Sequence, residues 1–254
     1  MKLGLKLWSI NTDYYLAEAK RLYDKGLYDY IELYAVPNTA ETIPLWKSLN
    51  IPFTIHCPHS VHGFNLADAN KRKANTKLFG EVRKFADELQ TDYIIIHGGV
   101  EGEINETAEQ LAALNEPRAI IENKPYRALV NIHGINFCRG YNKKELETVI
   151  NKSHCGFCLD FVHAACAANS TKCNIYDYIE DLGSLKPKMF HLSNMEDISS
   201  EYDSHIHLAD GKFDISRLLS MFPKEMKITL ETKKIFKTSL QDFEEDIKFI
   251  KKYK

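Results

Sequence analysis

The sequence has no long hydrophobic run and no excess of charge of one sign. No window approaches the about 18 consecutive apolar residues that a membrane-spanning helix requires. Residues 1–8 are interrupted by lysine and lack the roughly 7 to 15 apolar residues of a signal peptide. The 33 Lys and Arg nearly balance the 35 Asp and Glu, so the net charge of −2 does not by itself indicate a polyanionic partner. We therefore expect a soluble, cytoplasmic protein with no membrane partner.

Signatures of nucleotide-binding sheets and of disulfide frameworks are also missing. No GxGxxG or P-loop follows an early predicted strand, which argues against an open, doubly wound sheet. Cys155 and Cys158 form a CxxC pair, but a zinc ribbon needs a second pair at similar spacing, and none follows. We expect all 6 cysteines to be reduced thiols.

The sequence does contain a regular alternation of short, apolar, β-branched runs with longer segments of helical period. The runs predict eight strands: Leu3–Trp8, Tyr28–Tyr34, Phe53–His56, Tyr93–His97, Ala119–Glu122, Gly156–Asp160, Lys188–Leu192 and Lys227–Glu231. The helix candidates between them include Tyr14–Lys25, Asn65–Glu88, Lys143–Ile150, Ile175–Leu182, Ile215–Met221 and Leu240–Lys252. Eight such repeats in 254 residues, with no Gly/Ser/Pro-rich linker, predict a single (β/α)8 TIM barrel domain over residues 1–254.

Residues that bind metal ions stand at the ends of the predicted strands. The last six runs end on or beside such residues: His56, His97, Glu122, Asp160, His191 and Glu231. Because the C-terminal ends of barrel strands meet at one mouth, we expect these side chains to be neighbours. Four more candidates lie just past strand ends: His59, His163, Asp203 and His205.

Three carboxylates and three imidazoles buried in one cavity are destabilising unless a cation compensates for their desolvation. Imidazole and carboxylate ligands without a thiolate suit Zn²⁺, Mn²⁺ or Fe²⁺ better than Ca²⁺. The sequence therefore predicts a metal site. The remaining histidines, His62, His133, His154 and His207, lie off the strand ends and are not expected to be ligands, although we place His62 and His207 at the rim or behind the ligands.

Seven short segments resemble the ordered metal motifs of endonuclease IV, a family of apurinic/apyrimidinic endonucleases within the xylose isomerase-like barrel superfamily. They are Ile55-His56-Cys57-Pro58, Ile96-His97-Gly98-Gly99, Ile121-Glu122-Asn123, Leu159-Asp160-Phe161-Val162-His163-Ala164, Phe190-His191-Leu192, Asp203-Ser204-His205 and Leu230-Glu231-Thr232. The resemblance runs from about residue 53 to residue 233 and retains all nine ligand types in order.

This resemblance implies up to three zinc ions, with manganese as an alternative. It implies that the first ion is held by His56, His97 and Glu122, the second by Glu122, Asp160, His191 and Glu231, and the third by His163, Asp203 and His205. The third set is the most specific, because single-metal sugar epimerases of the superfamily lack it. The resemblance leaves two candidates for the first ligand. The strand end and a His-x-Pro pattern favour His56, whereas counting along the chain from the Asn65-Leu66 pair places His59 where that family has its first histidine.

The DNA-binding loops of that family are not retained. Residues 8–13 and 35–41, after the first and second strands, contain no Arg or Lys, and residues 98–103 after the fourth strand are acidic. Residues 30–34 resemble the sugar isomerase and epimerase branch instead. The resemblance therefore supports the metal chemistry more strongly than it supports a DNA substrate.

Three hypotheses follow. A metal-dependent phosphodiester hydrolase with reduced DNA-binding loops would act on abasic DNA by metal-assisted attack of water on phosphorus. A single-metal isomerase or epimerase would use Glu122 or Glu231 to move a proton beside the carbonyl group of a small sugar or sugar phosphate. A barrel without activity would only bind a ligand. We favour the hydrolase, with Glu122 and Glu231 as catalytic residues, because a one-metal isomerase does not explain the third set; the oligomeric state is not predicted.

Overall fold

The computed structural model describes residues 1–128 and 137–253. Eight parallel strands pair in chain order, and the last pairs with the first, so that the sheet closes into a barrel. They are β1 (Lys2–Trp8), β2 (Tyr30–Tyr34), β3 (Phe53–His56), β4 (Ile94–His97), β5 (Ala119–Glu122), β6 (Gly156–Asp160), β7 (Met189–Leu192) and β8 (Lys227–Leu230). Every predicted strand is present, with ends within two residues of the prediction.

Helices alternate with the strands along the described chain. They are α1 (Thr12–Asp24), α2 (Ile43–Lys47), α3 (Arg72–Glu88), α4 (Ile104–Leu114), α5 (Lys143–Ser153), α6 (Phe161–Thr171), α7 (Ile175–Gly183), α8 (Ile215–Ser220) and α9 (Gln241–Ile250). The predicted (β/α)8 fold is confirmed. Within residues 1–128 and 137–253, no helix has the length and apolar character needed to cross a lipid bilayer.

One predicted helix begins later than expected. The periodicity predicted a helix from Asn65, but α3 begins at Arg72. The Asn65 side chain accepts hydrogen bonds from the backbone N–H groups of Ala67 and Val100, and Asp68 accepts one from the N–H of Asn70. Such side-chain bonds to the backbone compete with helical hydrogen bonds. Residues 65–71 are consequently loop and a short 3₁₀ turn at the mouth of the barrel.

Along each strand, successive side chains alternate between the hydrophobic core outside the barrel, under the helices, and the interior of the barrel. In β1, Leu3, Leu5 and Leu7 are buried in the main hydrophobic cluster, which they share with helix residues. The intervening residues face the barrel axis, where an apolar layer fills the interior: Tyr30, Ile95, Ile120, Cys158 and Met189. Gly4 makes room for this layer, because a Cβ there would lie 2.3 Å from Cζ of Tyr30. The middle of the barrel is therefore filled by side chains, which separate the cavity at the C-terminal mouth from a second one at the N-terminal ends of the strands.

Candidate metal centre

A layer of ionisable side chains lies above the apolar layer, and it is formed by seven strands and by the residue that follows β8. Side chains alternate along a strand, so the next inward-facing position lies two residues beyond each position of the apolar layer. These positions are Lys6, Glu32, His56, His97, Glu122, Asp160, His191 and Glu231. With neutral histidines, the four carboxylates exceed the one lysine by three negative charges. Such a layer requires further positive charge.

The first group of potential ligands consists of His56, His97 and Glu122. The two Nε2 atoms lie 3.2 Å and 3.0 Å from the same Glu122 oxygen, Oε2. His56 Nδ1 donates a hydrogen bond to the carbonyl oxygen of Cys57 at 2.7 Å. Its Nε2 then directs a lone pair at a carboxylate oxygen, an arrangement that a cation between the two atoms stabilises.

His59, the alternative first ligand, takes a different position. Its ring stacks on that of His97 with 5.8 Å between centroids, and its backbone N–H donates to the Tyr34 hydroxyl. Burial lowers the pKa of the His59 imidazole to about 3, and neighbouring His56 and Lys124 add to this effect. The described ligand groups contain His56 and do not contain His59, so the geometry agrees with the strand-end interpretation.

The second group consists of Glu122, Asp160, His191 and Glu231. His191 Nδ1 lies 3.1 Å from Oε1 of Glu231 and 3.5 Å from Oε1 of Glu122. On the other side of the ring, Nε2 donates to Oε2 of Glu32 at 2.9 Å. That bond fixes the tautomer and leaves the Nδ1 lone pair for the centre of the group. Glu122 belongs to the first and second groups and joins them.

The third group consists of His163, Asp203 and His205. His163 is placed by α6, whose first turn is capped by Oδ1 of Asp160 accepting the N–H of His163 at 2.6 Å. His163 Nδ1 donates to the Asn123 carbonyl oxygen, so Nε2 faces Asp203 Oδ2 at 3.2 Å and accepts from Lys124 Nζ at 3.2 Å. His205 Nε2 lies 2.7 Å from the same oxygen. The backbone of His205 has φ of 46°, in the left-handed region where a non-glycine residue is uncommon.

Polar atoms without hydrogen bonds identify the centres of these groups. Among the described residues, six buried side-chain polar atoms lack a hydrogen-bond partner, and four of them belong to the groups: Glu122 Oε1, Asp160 Oδ2, His191 Nδ1 and Asp203 Oδ1. A buried polar atom left unsatisfied costs about 1–3 kcal/mol. Ligation of divalent cations would satisfy all four atoms, so the residues fit the metal ions that the sequence predicts.

The electrostatics of the metal-free layer lead to the same conclusion. Burial opposes ionisation of Glu122, but His97 and His191 outweigh burial and hold the pKa of its carboxyl well below the usual range. Burial also opposes protonation of His163, yet Asp160 and other neighbouring groups raise its pKa to about 10. Protons on histidines thus supply positive charge that the carboxylates attract. Metal ions in the same places would replace those protons.

Sequence inspection missed Lys6 and Glu32. The Lys6 ammonium group forms ion pairs with both Glu32 and Glu231, which outweigh the effect of burial and raise its pKa above the usual range. Both residues lie on strands that end in residues other than metal ligands, since β1 ends in Trp8 and β2 in Tyr34. The alternation of side chains along a strand does predict Glu32, because it is the next inward-facing residue after Tyr30 in β2.

The groups open into a cavity of about 590 Å³. Its walls carry four cationic side chains beyond the ionisable layer: Lys124, Arg127, Lys233 and Lys234. The expectation of a mouth with few basic loops was therefore incomplete, because the loops after β5 and β8 supply cations that the loops after β1, β2 and β4 lack. Arg127 is partly neutralised by Glu201, 3.0 Å away.

The histidines predicted not to be ligands lie outside the three groups where the structure describes them. His62 is at the rim, where Nδ1 lies 2.6 Å from the Tyr34 hydroxyl, and His207 lies 2.8 Å from Asp246. His154 follows the last residue of α5. His133 lies outside the described residues. Cys155 and Cys158 are buried free thiols, as expected.

Comparison with known proteins agrees with this architecture. A family model described as a xylose isomerase-like TIM barrel matches residues 23–253. The chain belongs to the xylose isomerase-like TIM barrel family. No curated protein gives a significant match to this barrel.

Solved structures similar to this xylose isomerase-like barrel include enzymes of different activity. A D-tagatose 3-epimerase-like protein has 17% identity and a TM-score of 0.73, with 100% of this chain and 97% of that chain covered. Endonuclease IV from Thermus thermophilus has 17% identity and a TM-score of 0.70, with 99% and 100% covered. IOLI protein with a binding zinc atom has 14% identity and a TM-score of 0.66, with 100% and 96% covered. At these identities the likeness extends to the fold alone.

Proposed function

We propose that this xylose isomerase-like barrel is a metal-dependent phosphodiester hydrolase similar to endonuclease IV, with abasic DNA as the substrate to test first. We further propose that it uses up to three zinc ions, with manganese as an alternative. The observation that carries the proposal is the third group, His163, Asp203 and His205, beside two groups that share Glu122. Divalent ions held there would supply the Lewis acidity that activates water and stabilises the leaving oxygen in phosphoryl transfer.

The protein's own residues position these ligands. The Asn123 side chain donates to the carbonyl oxygen of Asp160 at 2.9 Å and accepts its N–H at 2.7 Å, while the Asn123 carbonyl oxygen orients His163. Asn123 therefore couples the second group to the third. Loss of a residue that orients ligands in this way typically lowers metal affinity or activity about 10- to 100-fold.

Glu231, like Glu32, forms an ion pair with Lys6. Burial opposes its ionisation, but His191 and Lys6 outweigh burial and hold the pKa of its carboxyl well below the usual range. Lys6 thus keeps Glu231 anionic at the edge of the cavity. We propose Glu122 and Glu231 as the catalytic carboxylates, and Lys124 and Lys233 as the groups that contact substrate phosphates.

A second candidate is isomerisation or epimerisation of a small sugar or sugar phosphate with one metal ion. The size of the cavity favours it, because about 590 Å³ is typical of sites for small molecules. Glu122 and Glu231 would then move the proton beside the carbonyl carbon. This candidate leaves the third group without a role.

Metal content and activity separate the two candidates. We expect close to three ions per purified chain, and hydrolysis of bis(p-nitrophenyl) phosphate that is abolished by chelator and restored by zinc or manganese. Asp203→Asn should lower the content to about two ions and slow hydrolysis at least 100-fold. The matched control, Asp210→Asn, changes an exposed carboxylate of the same segment and should alter neither quantity. About one ion per chain, with turnover of a ketose or sugar phosphate and no phosphodiester cleavage, would overturn the proposal.

A further inference from the structure

A group of exposed apolar side chains lies on one side of the cavity mouth. It comprises Trp8 at the end of β1, Ile10 and Tyr14 after β1, and Ile235 and Phe236 after β8. These side chains retain 38%, 50%, 50%, 65% and 48% of their accessible surface. Because β1 pairs with β8, the two segments are neighbours, and the Tyr15 hydroxyl joins them by donating to the Phe236 carbonyl oxygen at 2.6 Å. We call this surface the aromatic ridge.

Lysines interrupt the apolar residues of the ridge. Residues 233–237 read Lys-Lys-Ile-Phe-Lys, and Lys233 and Lys237 are exposed. Asp13 is the one carboxylate in the two segments, residues 8–14 and 232–240. Exposed apolar surface marks an interaction site, and interleaved cations favour a partner that is anionic as well as apolar.

The ridge is continuous with the metal centre. The N–H of Lys233 donates to the carbonyl oxygen of His205, a member of the third group, at 3.1 Å. The ring of Trp8 stacks on Tyr34 with 4.8 Å between centroids, and Tyr34 in turn stacks on His56 at 5.5 Å. The ridge therefore adjoins the cavity at Trp8, which lines it.

We propose that the aromatic ridge binds unpaired nucleotides, so that the substrate of this site is single-stranded nucleic acid or an unpaired segment of it. The inference rests on the proposed phosphodiester hydrolase function. Flat, exposed aromatic rings stack on bases whose faces are free, and neighbouring lysines contact the phosphates between them. The bases of a duplex are stacked on each other, and the loops after β1, β2 and β4 offer few cations to hold its two backbones.

Binding to the zinc-loaded full chain tests the ridge directly. The probes are a fluorescein-labelled 12-nucleotide oligothymidylate with phosphorothioate linkages, which resists cleavage, and a 12-base-pair duplex with the same linkages. At about 150 mM salt we expect fluorescence anisotropy to give at least tenfold tighter binding of the single strand. Phe236→Ala should weaken single-strand binding about tenfold, within the range for loss of one stacked base, and Phe236→Tyr should retain it.

Two further variants define the surface. Lys233→Gln combined with Lys237→Gln should reduce the log–log salt slope by about 1.4, because each phosphate contact to a single strand contributes about 0.7. Tyr253→Ala is the matched control, since it removes an aromatic ring of similar exposure, 43%, outside the ridge, and it should not change binding. Thermal unfolding of each variant confirms that it is folded.

The outcomes separate the ridge from the hydrolase function. Equal affinity for single strand and duplex, or no effect of Phe236→Ala beyond that of Tyr253→Ala, would overturn the inference. A dimer that light scattering detects for the unaltered chain but not for Phe236→Asp, together with no oligonucleotide binding, would also overturn it. The ridge would then be an interface between two copies of the chain. Hydrolysis of bis(p-nitrophenyl) phosphate without single-strand binding would refute the ridge alone. Single-strand binding without hydrolysis would refute the hydrolase proposal alone.

Discussion

Oε2 of Glu32 accepts a hydrogen bond from Nε2 of His191 at 2.9 Å, across the interior of the barrel from β2 to β7. Both side chains are fully buried. The same Glu32 oxygen accepts the Thr229 hydroxyl, and Lys6 holds the other oxygen of the carboxylate. Glu32 therefore orients a ligand of the second group, and it also lies in a fourth candidate group with His56 and Glu231.

Glu32→Gln should lower zinc affinity about 10- to 100-fold, because a neutral amide accepts more weakly from His191 and makes Nδ1 a weaker donor to metal. Competition with a chromophoric zinc chelator measures the change. Glu196→Gln, at an exposed glutamate after β7, is the control and should bind zinc as the unaltered chain does. Equal affinity for both variants would show that Glu32 does not support the ligand.

Glu122→Gln should release one or more ions and slow hydrolysis at least about 10³-fold, because it removes a negative charge from the residue that two groups share. Elemental analysis and the phosphodiester assay measure the two effects. Cys155→Ser should leave both within a few-fold, since Cys155 is a buried thiol outside the groups. Loss of metal from the cysteine variant but not from the glutamate variant would contradict the ligand assignment.

Duplex DNA containing an abasic site should bind weakly, with a dissociation constant in the micromolar range or above at physiological salt. The four cations of the cavity walls predict a salt slope of magnitude below about 4, since each phosphate neutralised on a duplex contributes about 0.9. Titrations between about 50 and 200 mM salt measure the slope. Nanomolar affinity with a steep salt slope would instead indicate extensive contacts to the phosphates of duplex DNA, as expected of a dedicated repair endonuclease.

Glu116, which lies outside the three ligand groups, should make stability depend on pH. Hydrogen bonds from Arg118, and secondarily Arg83, lower the pKa of its carboxyl to about 2, whereas an unfolded glutamate has about 4.3. Because the folded pKa is the lower one, the stabilisation is present above about pH 4.3 and is lost as the pH falls towards 2. Glu116→Gln should therefore cost about 1.5–3 kcal/mol at pH 7, and the difference should shrink below about pH 5.

Urea unfolding of chelator-treated protein at several pH values measures this difference without a contribution from metal loss. Glu109→Gln, at an exposed partner of Arg72, should change the free energy of unfolding by at most about 0.5 kcal/mol. If the difference in free energy of unfolding between Glu116→Gln and the unaltered chain stays constant from pH 7 to pH 3, the Arg118 contact does not set the pKa of the Glu116 carboxyl.

The fold and most of the ionisable layer could be predicted because both depend on local pattern. Each strand is a short run bounded by polar residues, and the convergence of strand ends at one mouth follows from the barrel. Lys6 and Glu32 escaped prediction because they lie two residues before the ends of β1 and β2, so inspection of strand ends could not find them. Their role depends on pairings across the barrel, between Lys6 and Glu231 and between Glu32 and His191, that no local pattern encodes.

Our proposal of His56 rather than His59 as the first ligand rests on the three-dimensional path of the chain. Both patterns in the sequence were sound, but the two histidines differ in direction: His56 ends β3 and faces the axis, whereas His59 follows on a loop beside Tyr34. The late start of α3 has a similar origin. The side chain of Asn65 bonds to Val100, which is distant in sequence, and this contact overrides the helical periodicity of the segment.

The distribution of the candidate ligand groups along the chain sets the order in which they can be completed during synthesis. The first group needs only β3, β4 and β5, so an emerging chain can offer it before the second half has been made. The second group needs Glu231, which follows the strand that completes the barrel by pairing with β1. Under the proposed metal assignment, an ion in that group would therefore link β5, β6 and β7 to the residue that follows β8, and it would stabilise the closed ring of strands.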